Sequence, residues 1–453
     1  MSILKRVCVI GAGSSGIVAA KSLQQQGVPF DCFELGSGVG GVWRYDNDSG
    51  LSPAYRSLHI NTSRQRMCFS DFPMPADYPD FPHHSLILRY FENYVDHFDI
   101  RRNIRFRTRV ESVRPLVDGC WEVTTRQGES PSITTRYQAV IVANGHHWKP
   151  RWPNFAGEFR GRVMHSHEYR TPDDYQGQRV VVVGIGNSGC DIACELSRAA
   201  DRVFLSTRRG AHVIPKYLLG KPLDHLAPSW MWRYLPFRVF QRLFEAALRI
   251  SRGKLKRYGL PQPEHRILEE HPTISSDLFN QLGHGEISIK PQLTRLDHDH
   301  VEFSDGSREQ VDTIIYATGY DIAFPFLRQD LLDTSDNSVR LYRRVVHPNY
   351  HNLFFVGLIQ PWGAIMPLAE EQSLWVAEML AGASGLPAQA VMDQEMDDYA
   401  RKLQKRYASS PRHTIQVDFY AYLDEIRKER RLGRRYPALR LPKLIDSDAA
   451  RAA

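Results

Sequence analysis

Apolar residues along the chain gather in short β-branched runs that stop at glycine clusters and give way to helical spacing. Val7-Cys8-Val9-Ile10 leads into Gly11-Ala12-Gly13-Ser14-Ser15-Gly16, and Val180-Val181-Val182-Val183 leads into Gly184-Ile185-Gly186-Asn187-Ser188-Gly189. Two strand–GxGxxG–helix units are therefore predicted. Each is followed at a distance by a β-rich layer, residues 121–125 with a turn near Gly128 and residues 301–303 with a turn at Asp305-Gly306. Both layers close on a buried strand that ends in a small residue, a polar residue and glycine: Ala143-Asn144-Gly145 and Ala317-Thr318-Gly319. A further apolar strand at 353–357 and a helix over about 367–380 complete the pattern.

The duplication predicts an α/β protein with two Rossmann-like dinucleotide-binding domains of the glutathione-reductase type, the first of them discontinuous. Residues 1–153 and 323–453 are expected to form that first domain and a C-terminal segment. The second, 154–322, is inserted between them and carries a helical insert at about 215–280. A length of 453 residues suits two or three domains at roughly 150 each.

Composition adds exclusions. With 42% hydrophobic and 24% charged residues, disorder and fibrous repeats are ruled out. Lys and Arg number 58 against 51 Asp and Glu, a net charge of +7 that favours anionic ligands such as phosphates without calling for nucleic acid. Cys8, Cys32, Cys68, Cys120, Cys190 and Cys194 form no CxxC pair, so a reducing cytoplasm is expected and neither a disulfide framework nor a metal site is. The doublets His83-His84 and His146-His147 would diverge and are assigned no metal. Val7–Ile10 runs directly into glycines as a first strand would, so no secretion signal is expected there; the longest uncharged stretch, 352–369, is broken by Gln360, Pro361 and Pro367, so no membrane span is expected either. Residues 228–257 interleave Trp230, Trp232, Leu235, Phe237, Phe240, Phe244 and Leu248 with arginines. The expectation there is a helical insert packed on its own domain; contact with a membrane surface and a cover over a substrate entrance are the alternatives.

A glycine-rich turn opening a helix lets backbone N–H groups approach a pyrophosphate at the positive end of the helix dipole. Gly11, Gly13, Ser14, Ser15 and Gly16 are thus candidates at one nucleotide, and Gly184, Gly186, Asn187, Ser188 and Gly189 at another. The end of the next strand distinguishes the two. Glu34 stands there in the first unit, where a carboxylate accepts ribose hydroxyls and repels a 2′-phosphate. The corresponding place in the second holds Ser206, Thr207 and Arg208, which suit a 2′-phosphate, unless the arginines merely occupy a surface turn. FAD in the first unit and NADPH in the second is the economical pair. Gly41, Val42 and Trp43 offer close backbone approach and an aromatic beside a flavin; a structural Gly-Gly turn with a core Trp would look the same. A disulfide reductase is excluded, because 38–61 lacks cysteine and Cys190 and Cys194, one helical turn apart, line a packed helix face.

Phe159-Arg160-Gly161-Arg162-Val163-Met164-His165-Ser166-His167-Glu168-Tyr169 stands just before the second unit and matches a family fingerprint, FxGxxxHxxxY. With both glycine motifs, Gly40-Gly41-Val42-Trp43, Asn61-Thr62-Ser63 and Ala317-Thr318-Gly319-Tyr320 in order, the chain resembles the bacterial flavin-containing monooxygenases of class B from about residue 5 to 425. The resemblance implies that NADPH reduces FAD, that O2 adds to give a C4a-hydroperoxyflavin, and that a nucleophilic amine nitrogen or sulfide sulfur of a small molecule takes the oxygen. It implies Asn61 as the active-site asparagine with Thr62 beside it, although an Asx-turn role for Asn61 stays open. It also places Val110, at the end of a strand over 104–110, against the adenine of FAD, and Gln360 near the isoalloxazine. His165 and Tyr169 would position NADPH as linker residues. Related Baeyer–Villiger enzymes carry Trp at the place of Tyr169, which favours heteroatom oxygenation; ketone oxygenation and NADPH-driven electron transfer to a protein partner are the alternatives. Tyr316 departs from the family's usual Phe. Dimers are common in the family, so the resemblance admits a homodimer, while the sequence itself leaves the oligomeric state open.

Overall fold

The structure, a computed structural model, describes residues 7–226, 231, 236–406 and 414–443. By its contacts the chain divides into two units: the first takes the chain up to Ser52, Arg64–His146 and the chain from Ile322, and the second takes Pro53–Ser63 and His147–Asp321. The short segment Pro53–Ser63 therefore groups with the second unit.

In the first unit five parallel strands lie in the order Leu353–Phe355, Ala139–Val142, Val7–Ile10, Phe30–Phe33, Ile104–Arg105. Val7 pairs with Phe30 on one side and Ala139 on the other. Val7–Ile10 and Ala139–Val142 are buried throughout, as continuous apolar runs require in parallel strands covered on both faces. Helices Ser14–Gln25 and Met366–Leu380 pack against each other. The β-rich layer is an antiparallel sheet of Thr108–Pro115, Trp121–Gln127 and Ile133–Tyr137, and Trp121, Val123 and Tyr137 join Cys8, Ile10 and Phe355 in one core.

The second unit repeats the plan, with parallel strands in the order Ile287–Lys290, Arg202–Ser206, Arg179–Val183, Thr313–Tyr316, Arg162–His165. Its antiparallel layer is Leu293–His298, His300–Phe303 and Arg308–Gln310, flanked by Ala156–Phe159 in parallel. One edge differs in origin: the strand beside Thr313–Tyr316 comes from the segment preceding the unit's first glycine turn. Cys190 and Cys194 are buried in this unit's core with Val180, Val182 and Leu205, and all six cysteines are free thiols.

Two expectations need adjustment. The strand foreseen over 104–110 is two strands, Ile104–Arg105 and Thr108–Pro115, because Arg107 between them adopts φ 53° and leaves extended conformation. Val110 consequently lies inside a strand, beside the bulge before Ser112, and does not end one. In the helical insert, Phe237–Arg252 is one helix with Phe240 and Leu248 buried and Arg238, Arg242 and Arg249 exposed. Leu243 and Ile250 also face outward. Trp230, Trp232, Arg233 and Leu235 lie outside the described residues.

Candidate nucleotide and oxygenation sites

The first glycine turn is built by interlocking backbone. Gly11 has φ 100°, and a Cβ there would lie 2.7 Å from the Ala143 carbonyl oxygen; a Cβ on Gly16 would lie 1.8 Å from the Gly11 carbonyl oxygen. Side chains at either position would push apart the strand, the turn and the strand end that lies over them. Gly13 caps helix Ser14–Gln25 without any side-chain hydrogen bond, and the first turn of the helix holds no acidic residue. Ser14 and Ser15 open that helix and are half-buried. Its amides thus keep the positive end of the helix dipole for an anion.

Glu34 follows the second strand and is buried. Its Oε2 accepts from the Ala12 amide at 2.7 Å and its Oε1 from the Gly36 amide at 2.8 Å. Burial pushes this carboxyl up, and the two amides with the nearby Arg44 guanidinium pull it back. Each oxygen keeps a second lone pair, as a ribose diol needs. The second Gly-Gly turn meets the first: the Gly40 amide donates to Ala12 O at 3.1 Å, and a Cβ on Gly41 would lie 3.1 Å from the Gly13 Cα. Gly41–Trp43 forms a short 3-10 turn held by Asn47 Nδ2 on Gly41 O and Ser52 Oγ on Val42 O, with Val42 and Trp43 half-buried. The amides of Arg107 and Thr108 donate to Gly36 O and Glu34 O, which draws the strand bearing Val110 to the same corner. Gln360 is half-buried in the strand Gln360–Trp362, paired with Gln416–Asp418. A cradle closed by glycines, an uncapped helix end and a carboxylate with spare lone pairs fit the adenosine diphosphate half of FAD.

The second turn has the same lock. Gly184 has φ 117° with its Cβ position 2.5 Å from the Ala317 oxygen, and a Cβ on Gly189 would lie 1.9 Å from the Gly184 oxygen. Gly186 caps helix Asn187–Leu196 with no side-chain hydrogen bond, and Ser188 sits half-buried in its first turn. Asn187 is engaged internally, its Oδ1 accepting from the Ile274 amide at 2.8 Å. Thr207 is buried, its hydroxyl donating to Arg209 O at 2.6 Å, while Arg208 is exposed and has no ion pair among the described residues. Ser206 is placed differently from its expected role. It is 1% exposed, and its hydroxyl donates to Pro291 O at 2.8 Å and accepts from the Leu293 amide at 3.1 Å, so it ties the strand to the loop after Lys290.

Asn61 and Thr62 belong to the segment that groups with this second unit. The segment is held along its length. Tyr55 hydroxyl donates to Asp191 Oδ2 at 2.6 Å, Arg56 forms a two-pronged ion pair with Asp173, Lys216 Nζ donates to Ile60 O at 3.2 Å, and the Ser63 amide donates to Asp224 Oδ2 at 2.8 Å. Thr62 is buried, whereas the Asn61 Oδ1 is buried without a hydrogen-bond partner among the described residues. Sequence reading missed Lys216, Asp191 and Asp224, because nothing in spacing links them to residues 55–63.

The fingerprint runs from the surface at Arg160–Val163 into the interior at His165 and Tyr169. Gly161 admits no Cβ, since one would lie 2.4 Å from Asp312 O; His165 is fully buried, its Nδ1 accepting from the His167 amide at 3.1 Å. Burial pushes the His165 imidazole down to about 4, so it is neutral at physiological pH. Tyr169 is also fully buried and donates to Glu195 Oε2 at 2.9 Å.

Comparison with known proteins agrees with this geometry. Residues 4–444 match a family model described as flavin-binding monooxygenase-like. Flavin-containing monooxygenase 5 of Rattus norvegicus is 40% identical over 440 residues, 93% of this chain and 82% of that protein. Dimethylaniline monooxygenase [N-oxide-forming] 2 of Mus musculus is 38% identical over 443 residues, 94% of this chain and 82% of that protein. The structure of S-allyl-L-cysteine S-oxygenase from Allium sativum aligns with a TM-score of 0.72 at 26% identity, covering 97% of this chain and 91% of that one. Two nucleotide cradles in one chain, with a family model matched over residues 4–444 and relatives aligned over more than nine-tenths of the chain, place it in the flavin-binding monooxygenase-like family, as a monooxygenase that uses FAD and NADPH.

Proposed function

We propose that this monooxygenase transfers one atom of O2 to a nucleophilic nitrogen or sulfur of a small molecule. When bound, FAD reduced by NADPH supplies the oxygen-activating chemistry. The observation that carries the reading is Asn61. Its amide oxygen is buried without a partner among the described residues, and its neighbours Ile60, Thr62 and Ser63 include no ionisable group. The Asn61 amide can orient and hydrogen-bond but is itself neither acid nor base, which suits a substrate that brings its own lone pair, as a neutral tertiary amine or a thioether does. The names of the N-oxide-forming and S-oxygenating relatives support the same class. Tyr169, buried and bonded to Glu195, supports the fold of its unit.

Within this proposal, Gly11, Gly13, Ser14, Ser15, Gly16 and Glu34 hold the FAD pyrophosphate and ribose. Gly41, Val42, Trp43, Val110 and Gln360 line the rest of the flavin nucleotide. Gly184, Gly186, Ser188 and Gly189 take the NADPH pyrophosphate, with Asn187 shaping their turn, and Thr207 and Arg208 take the 2′-phosphate. A cytoplasmic location is part of the reading, supported by six free thiols; no described helix is long and apolar enough to cross a membrane. So is a homodimer, checked by sedimentation. The decisive experiment incubates the protein with NADPH, isotopically labelled O2 and, separately, a thioether, a tertiary amine and a cyclic ketone. Labelled sulfoxide and N-oxide are expected. Lactone alone, or peroxide with no labelled product, would overturn the assignment.

A further inference from the structure

The Asn61 segment is gripped from one base in the insert. Tyr217–Leu218 and Lys221–Pro222 form a hairpin whose two-residue turn, Leu219 and Gly220, has φ 52° and 74°, the left-handed pair that suits a tight antiparallel reversal. The Leu223 amide closes the hairpin on Lys216 O at 2.9 Å. Two grips thus project from its open end. Before it, Lys216 Nζ donates to Ile60 O at 3.2 Å. After it, in the short helix Leu223–Leu226, Asp224 Oδ2 accepts the Ser63 amide at 2.8 Å, and His225 Nε2 lies 2.9 Å from Ser63 Oγ. Ser63 is fully buried, so both its amide and its hydroxyl depend on these partners. Asn61 lies between the two fixed points, with its amide oxygen in want of a partner.

Neither side chain has the geometry of an acid–base relay. The nearest approach of Asp224 to His225 is 4.0 Å and falls on Nε2, the same nitrogen that meets Ser63, so no carboxylate orients the far side of the ring through this pair. We propose that Asp224 and His225 are positioning residues that fix the Asn61-bearing segment, and through it the direction in which the Asn61 amide is presented during oxygenation. The proposal rests on the role given to Asn61 above.

The test compares Asp224→Ala, Asp224→Asn and Asn61→Leu with the unaltered FAD-loaded protein. Two quantities are read: hydrogen exchange of peptides spanning 53–66, and the fraction of oxidised NADPH recovered as H2O2 with a thioether present. Asp224→Ala is expected to speed exchange of the segment and raise the peroxide fraction roughly 3-fold or more, a modest share of the ~100-fold that a 1 Å misplacement can cost. Asp224→Asn keeps an acceptor for the Ser63 amide and should restore both quantities, which general destabilisation would not do. If the segment exchanges no faster in Asp224→Ala, or if it is freed while coupling stays normal and Asn61→Leu uncouples, the positioning role is overturned. Normal coupling in Asn61→Leu removes instead the role of Asn61, and the exchange result distinguishes the two failures.

Discussion

Replacing Glu34 should unlock the first glycine turn even before any nucleotide binds. Its carboxylate is the acceptor for the Ala12 amide at 2.7 Å and the Gly36 amide at 2.8 Å, and Ala12 is wholly buried. Hydrogen bonds to a charged group are worth about 1.5–3 kcal/mol each, so Glu34→Ala, which strands both donors, should cost roughly 3–6 kcal/mol locally. Glu34→Gln keeps one oxygen and turns an NH2 towards the other donor, so it should lose about half of that. The total stability of a domain is about 5–15 kcal/mol, so the alanine variant consumes a large share of it. Denaturant melts of a protein with two units need not be two-state, and native-state hydrogen exchange of peptides 7–16 and 33–40 reads the turn directly. Exchange in both peptides should accelerate in the order Ala, then Gln, then unaltered protein. Protection in Glu34→Ala equal to that of the unaltered chain would refute the interlock and leave Glu34 to the ribose alone.

Arg208→Ala should raise KM for NADPH by roughly 10- to 100-fold, the worth of a charge-assisted bond to phosphate, and leave NADH nearly unaffected; equal losses with both coenzymes would refute the 2′-phosphate role. Burial raises the Asp191 carboxyl to about 6, with the Tyr55 hydroxyl and Lys216 pulling back. The unfolded value is about 3.9, so the folded unit holds a proton that the unfolded chain releases; this contribution to stability is fully present below about pH 4 and lost as pH rises through about 6. Asp191→Asn should flatten that part of the stability–pH curve, as followed by thermal unfolding, and an unchanged slope would contradict it.

What the sequence made legible is what the backbone alone decides. The glycine turns, the strands feeding them, and the endings Ala143-Asn144-Gly145 and Ala317-Thr318-Gly319 all follow from close approach that leaves no room for side chains. The paired endings have a further use that spacing could not reveal: Asn144 Nδ2 donates to Ala323 O at 3.3 Å and Thr318 Oγ1 to Arg151 O at 2.5 Å, so each polar residue fastens the chain's other crossing. Side-chain roles were read less well. Ser206 stands where a phosphate ligand is expected, yet its hydroxyl is held by Pro291 and Leu293, which lie 85 and 87 residues away and out of reach of any local pattern. Asp224 was invisible for the same reason, 161 residues from Ser63. No local rule signals the left-handed turn at Arg107, so the sequence alone runs one strand through it and ends that strand at Val110.

The repeated lock has an evolutionary corollary. In both turns the first and last glycines answer to carbonyl oxygens of their own unit, Ala143 and Gly11 in one, Ala317 and Gly184 in the other, and so carry no message about which nucleotide arrives. In the function proposed above, that message falls to the tip of the following strand, at Glu34 or at Thr207 and Arg208. Selection can therefore retune the source of reducing power through a few positions at a strand tip, two of them buried and only Arg208 exposed, while the glycine scaffold of each turn stays untouched.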